Sequence, residues 1–372
     1  MSTKIEETNI APADNAGVVE STGSEKQPEP APVVESSEHR VDAPVAISSH
    51  DKKVDNATEG LGGLSLADKK EIDIEKPNGE AAPAAAGTAE PTTGPTWPET
   101  ATEHPLTKFY DVFEDLVKES QHSEVYGIQL TKSNPFHTKL ILQKILRANQ
   151  NDLDKAKQQL LETLKWRKEF DPVKAMSEHF DKARFGGLGY VLEVEGVPES
   201  KNAKDVATFN IYGAVKDKKQ TFGDLDSFLR WRVGLMEKSV QKLNLSAATT
   251  PIPDFGQGPD PYQGYQIHDY LQVSFLRQDP AVKAATQKTI EVLGRYYPET
   301  LSRKFFVNVP VVMGWVYTAV KMVVAKETAK KFTVLSYGNQ LAGELGSNIP
   351  TVYGGTKGDL DSVAEAMNFV EE

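Results

Sequence analysis

The chain has 372 residues, a formal net charge of −11, no cysteine and 22 prolines. Its length suits two domains, or one domain plus a structureless segment. Without cysteine there are no disulfides, zinc–thiolate sites, iron–sulfur clusters, cysteine nucleophiles or covalently attached c-type haem.

The charge is unevenly spread. Residues 1–100 hold 8 basic and 19 acidic residues, leaving a remainder with 34 of each. A neutral remainder offers no basic domain, so no nucleic-acid partner is expected. The first hundred residues also hold ten prolines and one aromatic, Trp97, in a Glu/Pro/Ala/Ser/Thr mixture without period. Such a composition cannot bury enough apolar surface to offset its ordering entropy, so 1–104 is expected to be a disordered acidic tail. Within it, 61–75 (LGGLSLADKKEIDIE) reads as a greasy linker or a short docking motif. No charged start followed by an apolar run opens the chain, so no secretory signal is expected.

From Pro105 the pattern becomes helical. Proline at a first-turn position and a stripe of Phe109, Val112, Phe113 and Leu116 predict a helix over 105–119. Helices over 136–149 and 152–170 follow, the second carrying Leu153, Ala156, Leu160, Leu161 and Leu164 and stopped by Asp171-Pro172. Residues 105–177 thus form a helical N-terminal subdomain.

Beyond about 186 the period changes. Strands are predicted over Tyr190–Val194, Ala207–Tyr212, Tyr265–Phe275, Lys304–Val309 and Phe332–Ser336. Helices are predicted at 224–243 behind the capping acid Asp224, at 280–296 behind Asp279-Pro280, and at 310–326 from Pro310. Strand–helix–strand–helix–strand from 265 to 336 requires parallel crossovers, hence an α/β sheet. Residues 245–262 form a long Pro/Gly loop, functional or disordered.

Gly186-Gly187-Leu188-Gly189 precedes a strand instead of opening a helix, so it is a turn and not a dinucleotide loop. There is no Walker lysine motif, zinc-protease helix or nucleophile elbow, and no enzymatic chemistry is expected. The helix 310–326 (PVVMGWVYTAVKMVVAK) is apolar on nearly every face yet too short to span a bilayer, which needs about twenty apolar residues. It reads as a buried core helix or as a lid over an apolar cavity that touches membrane when open. On a strand, His268 and Tyr270 share one face about 7 Å apart. They read as a hydrogen-bonded core pair or as iron ligands, phenolate favouring ferric ion. Of Arg230 and Arg232, the first reads as a solvated face and the second as able to reach inwards to clamp a carboxylate.

Several of these stretches together resemble a known family. Arg295-Tyr296-Tyr297-Pro298-Glu299, then Lys304-Phe305-Phe306-Val307-Asn308-Val309-Pro310 and the late Val352-Tyr353-Gly354-Gly355 resemble the CRAL-TRIO lipid-binding family. The segment 105–172 resembles the helical subdomain that precedes it, and the likeness covers about 105–357. Within the family the chain most resembles the non-classical, haem-binding branch of fungal phosphatidylinositol transfer proteins. The residues that carry this are Asn210-Ile211-Tyr212-Gly213, the run Arg232 to Lys238, His268-Asp269-Tyr270 and the run Phe306 to Tyr317.

The resemblance implies an α/β CRAL-TRIO fold over 178–357, a mixed, mostly parallel sheet flooring an apolar cavity with a lid helix. A C-terminal helix or tail follows at 358–372. It also implies haem b, with Tyr270 as the axial iron ligand, His268 adjacent, and Tyr212, Arg232 and Lys304 completing the site. One position departs: where the branch can place a tyrosine near the haem, this chain has Asn149. The phosphatidylinositol headgroup pair falls on Glu299 and Lys330, an acceptor for inositol hydroxyls and a cation for phosphate. The implied function is non-enzymatic lipid transfer in the cytoplasm, with transient peripheral association to endoplasmic reticulum or microsomal membrane. The rival is a haem-dependent redox sensor or peroxidase-like protein with lipid transfer secondary.

The acidic leader opposes approach to anionic membrane by long-range repulsion, which salt screens. Deleting residues 1–100 is expected to raise binding to anionic vesicles at low salt, read by co-sedimentation. Unchanged binding would refute that role.

Overall fold

The structure is a computed structural model, and it describes residues 94–273, 279–310 and 330–370. Three long helices come first: α1 (Pro105–Ser120), α2 (Pro135–Ala148) and α3 (Leu153–Phe170). α1 and α3 start where a side chain satisfies an otherwise orphaned backbone N–H, and α2 starts at Pro135, which has no N–H to satisfy. The His104 ring accepts from Leu106 N ahead of Pro105, and Asp152 accepts from Lys155 N. The described chain begins before α1. Trp97 packs its ring 5.5 Å from that of Phe136, so the one aromatic of the acidic segment belongs to the helical core.

The sheet has five strands in sequential order: β1 (Gly189–Val194), β2 (Asp205–Ile211), β3 (Gly264–Asp269), β4 (Leu301–Val307) and β5 (Phe332–Leu335). β1 is antiparallel to β2, and β2 to β5 are parallel, which gives the expected mixed, mostly parallel α/β sheet. The crossover helices are α4 (Leu225–Lys242) between β2 and β3 and α5 (Pro280–Tyr296) between β3 and β4, capped by Asp224 and Asp279 as predicted. The expected lid helix, with Trp315 and Val316, lies outside the described residues, as do 1–93 with the 61–75 motif. After β5 the chain forms short turns of helix, including Leu360–Val363, and ends in Asn368–Val370, which pairs parallel with His179–Asp181.

The sequence boundary at 177/178 does not interrupt the packing. Phe109, Phe113, Leu140, Ile145 and Leu160 from α1 to α3 share one apolar cluster with Val233, Met236 and Val240 of α4 and Tyr297 after α5. Ion pairs reinforce the joint. Fully buried Arg167 on α3 donates to Glu237 on α4 (2.9 Å) and to Glu124 (2.7 Å), while Tyr297 Oη donates to Glu237 (2.8 Å). Burial pushes the Glu237 carboxyl up, but Arg167 and these hydrogen bonds override it and hold it below the carboxylate range.

Two expectations change. The loop 245–262, expected to be functional or disordered, is not disordered but pinned to the helical segment. Arg147 donates to the carbonyls of Pro253 (2.7 Å), Asp254 (3.0 Å) and Gly258 (3.1 Å), and buried Lys144 pairs with Asp260 at 2.7 Å. Arg230 is no solvated charge, since it pairs with Glu178 at 2.7 Å and donates to the Phe170 carbonyl.

Removing one partner of a buried ion pair strands the other charge, at a cost of about 3–5 kcal/mol. Arg167→Met is therefore expected to lose about that much stability in urea denaturation, and Arg167→Met/Glu237→Leu to recover most of it. The depressed Glu237 carboxyl contributes stability at pH above its unfolded value of 4.5, lost on further acidification. A cost below about 1 kcal/mol would place the pair among those that contribute little.

Candidate functional site

Strand alternation sorts the sheet into two unlike faces. Phe209, Ile267, Phe305 and Val307 pack on one side against Leu341, Leu345, Ile349 and Tyr353 of the C-terminal segment. The other side is polar. The register puts Asn210 beside His268 and His268 beside Phe306, and in the next row Thr208 beside Gln266 and Gln266 beside Lys304. Helix α4 covers this face and matches it with polar groups. Ser239 bonds Thr208 at 2.7 Å, Gln266 Nε2 donates to Met236 Sδ at 3.2 Å, and Arg232 donates to Gln266 Oε1 at 3.2 Å.

The five residues expected to hold a cofactor converge here. Tyr212 Oη lies 3.0 Å from His268 Nδ1, and the Tyr212 ring centre is 5.2 Å from that of Tyr270. Phe306 closes the group, 5.6 Å from His268 and 6.3 Å from Tyr270. The strand predicted over Tyr265–Phe275 ends at Asp269, because the Asp269 carboxylate accepts from Leu271 N and turns the chain. Tyr270 keeps the His268 side all the same, its N–H still bonding Val307 O at 3.0 Å. Asn149 is engaged elsewhere, donating to Gln159 Oε1 at 2.6 Å.

The electrostatics of the group are unusual. Arg232 is 3% exposed and its Nε and Nη1 have no hydrogen-bond partner; His268 is 7% exposed with Nε2 likewise unpartnered. Among the described residues no carboxylate pairs with Arg232 or Lys304. Desolvation, with the Arg232 charge, pushes the Lys304 ammonium down to about 8. Desolvation, then Lys304 and Arg232, hold the His268 imidazole well below its ordinary range, so it is neutral. Burial, then Tyr212, push the Tyr270 phenol up. A buried guanidinium, a half-buried ammonium, a neutral imidazole and a protonated phenol together make a locally positive group.

The headgroup candidates lie at the other end of the sheet. Glu299 immediately precedes β4, in the left-handed region at φ 52°, and accepts from Gln263 Nε2 at 2.8 Å, with Arg147 Nε at 3.6 Å. Lys330 precedes β5; its neighbour Lys331 donates to Leu301 O at 2.8 Å. Glu299 and Lys330 therefore stand at strand starts and Tyr212 and Tyr270 at strand ends. Gln266 and the aromatic wall of Phe306 and Phe332, 5.4 Å apart, were missed as site residues. The alternation that paired His268 with Tyr270 also places Gln266 and Phe306 on that face.

Between about 8 and 10.5 the unfolded chain holds a proton on Lys304 that the folded chain has shed, so ligand-free stability rises with pH there. Lys304→Met is expected to raise the Tm of the ligand-free protein at neutral pH and to flatten that rise. Equal slopes for both proteins would remove Lys304 as the titrating group.

Comparison with known proteins bears on this arrangement. The CRAL/TRIO domain model matches residues 204–355, and the CRAL/TRIO N-terminal domain model matches 105–162. "Phosphatidylinositol transfer protein SFH5" of Phaeosphaeria nodorum is 76% identical over 87% of this chain and 99% of its own. The protein of the same name from Cryptococcus neoformans is 48% identical over 70% of this chain and 89% of its own. The crystal structure of Sfh5 superposes with a TM-score of 0.59 at 28% identity, covering 72% of this chain and 93% of that one. With both family models in order along the described chain and a relative matched over nearly its whole length, this chain belongs to the CRAL/TRIO family and groups there with the fungal Sfh5 proteins.

Proposed function

We propose that the protein carries phosphatidylinositol between membranes and holds haem b against the polar face of its sheet, contributing to phosphoinositide homeostasis without making or breaking covalent bonds. Relatives named as phosphatidylinositol transfer proteins support the first part. The observation that carries the second is the pair of buried Arg232 and half-buried Lys304, which among the described residues have no carboxylate, beside His268 Nε2, which has no hydrogen-bond partner among them either. An anionic amphiphile is the ligand class that this chemistry fits. Its charge offsets the two cations, and its apolar body rests on Phe306 and Phe332.

Haem b fits the donor set. When bound it supplies a ferric iron, a hard Lewis acid that a phenolate ligates. Tyr270 would be the residue that holds the iron; burial keeps its phenol protonated in the ligand-free chain, and a strongly positive neighbour would favour the phenolate. Arg232 and Lys304 take the propionates, and Tyr212 and His268 orient one another through their 3.0 Å hydrogen bond. Glu299 and Lys330 serve the inositol headgroup, as acceptor for hydroxyls and cation for phosphate. No helix among the described residues is long and apolar enough to cross a membrane. That suits a cytoplasmic carrier meeting endoplasmic reticulum or microsomal membrane peripherally.

Protein purified from a haem-replete host is expected to show a haem absorption spectrum, and Tyr270→Phe to shift that spectrum and lower haem content. A colourless wild type would sink the haem reading, and an unchanged Tyr270→Phe the ligand assignment. Glu299→Ala is expected to lower phosphatidylinositol transfer between vesicles at least tenfold, in keeping with loss of a charge-assisted contact of about 1.5–3 kcal/mol. Equal transfer would remove Glu299 from the site, while peroxide turnover by the haem-loaded protein would favour a redox role.

A further inference from the structure

The parallel strands end flush. Ile211, Asp269, Val307 and Leu335 stand side by side in one row across β2 to β5. Just past that row the chain exposes apolar side chains. Leu271 is 51% exposed, Tyr337 63% and Val352 55%, three of the six large hydrophobic residues exposed among the described residues.

They come from three separate segments, and one polar node gathers them. The Asp269 carboxylate accepts from Leu271 N (2.8 Å), from Asn308 Nδ2 (2.7 Å) and from Tyr353 Oη (2.7 Å). Asn308 Oδ1 in turn accepts from Gly338 N at 2.6 Å. Leu271 is thus held directly, and Tyr337 and Val352 through their immediate neighbours. Gly338 seals the contact, since a Cβ there would stand 3.3 Å from Val352 O. A buried, fully bonded node of this kind fixes the backbone while leaving the apolar side chains outside.

A cationic strip borders the same edge. Gly213 packs so closely on Leu271 that a Cβ would meet the Leu271 carbonyl at 1.7 Å. The chain leaving Gly213 exposes Lys216, Lys218 and Lys219, with Asp217 the one acid among them. Isolated exposed hydrophobics need no explanation, but apolar side chains converging beside a basic strip mark an interaction surface.

We propose that this edge of the sheet is a docking surface for an anionic lipid bilayer. Leu271, Tyr337 and Val352 enter the headgroup region, and Lys216, Lys218 and Lys219 contact lipid phosphate. Charge complementarity selects an anionic bilayer over a second copy's residues 101–372, which carry 34 basic and 34 acidic residues and offer the lysine strip no net negative charge. The inference deepens the transfer reading and rests on it for its purpose, since Tyr212 and Tyr270 lie immediately beneath this edge and a bilayer docked there faces the ligand site.

The test is co-sedimentation of the full chain with phosphatidylcholine vesicles, with and without phosphatidylserine, at low and moderate salt. Each lysine near an anionic surface strengthens binding roughly fivefold. Lys216→Ala/Lys218→Ala/Lys219→Ala is therefore expected to lower affinity for phosphatidylserine vesicles at least about tenfold and to weaken its salt dependence. Leu271→Glu/Tyr337→Glu/Val352→Glu is expected to lose binding by a similar factor with the Tm unchanged. Phe255→Glu, altering an exposed aromatic in the loop that leads into the opposite edge, is expected to bind as wild type. Wild-type binding by both rim variants, loss confined to Phe255→Glu, or no vesicle binding by the wild type overturns the surface. Vesicle binding that depends on the rim without phosphatidylinositol transfer overturns the transfer reading and leaves the surface standing.

Discussion

A cation taken out of water must be met by an anion or by several hydrogen bonds, because its uncompensated burial costs several kcal/mol even after relaxation. Among the described residues, cations are withdrawn from water around Lys144, Arg167 and Arg232, and anions meet the first two. Lys144 has Asp260 and the carbonyls of Tyr262 and Glu299, and Arg167 has Glu237 and Glu124. The Lys144–Asp260 and Arg167–Glu237 pairs cross between the helical segment and the sheet segment, so satisfying these cations also ties the two together. At the third place Arg232 bonds Gln266, and among the described residues neither it nor Lys304 has a carboxylate. Since the fold supplies anions elsewhere, the missing one at the third place reads as reserved for a ligand.

The rest of the site follows from strand alternation. A sheet buried on both faces ordinarily reads as a continuous apolar run. Here β3 and β4 put Ile267, Phe305 and Val307 on one face, while Gln266, His268 and Lys304 stand on the other with Phe306 beside them. The apolar face supplies cohesion, with Leu341, Leu345 and Ile349 packed on it, while on the other face the apolar packing of Val191 and Val206 with Trp231 and Leu235 of α4 lies beside the polar side chains. Helix α4 serves both demands. Val233, Met236 and Val240 face the helical core, whereas Arg232 and Ser239 turn to the polar face.

Much of this was legible in the sequence where a local rule acts. Capping acids at Asp224 and Asp279, proline at the helix starts and the two-residue strand period place the elements and put His268 and Tyr270 on one side. The inward reach of Arg232 follows from its place on a helix beside Phe228 and Leu235. What local pattern does not carry is long-range pairing. The loop 245–262 looks unpinned until Arg147, more than a hundred residues earlier, is found donating to three of its carbonyls. Trp97 looks stranded in an acidic segment until Phe136 appears beside it. Arg230 looks solvated because Glu178 is a distant partner. The separation of Glu299 from Tyr270 is likewise invisible in the sequence, since only the parallel register places one at strand starts and the other at strand ends.

The unmatched cations also bear on how a carrier releases what it holds. A ligand that supplies the missing anion binds the folded chain and not the unfolded one, so occupancy and stability are linked. The empty protein then carries the desolvation cost of Arg232 and Lys304, and departure of one ligand without arrival of another is the unfavourable step. Simple dissociation into water adds to that cost the exposure of the ligand's apolar body. At a bilayer both costs fall together, because the apolar body passes from one oily phase to another and anionic headgroups stand near the vacated cations. The buried charge that makes the site costly to leave empty thus favours exchange at a membrane over release into solution. A carrier can hold its cargo firmly between membranes and still give it up at one.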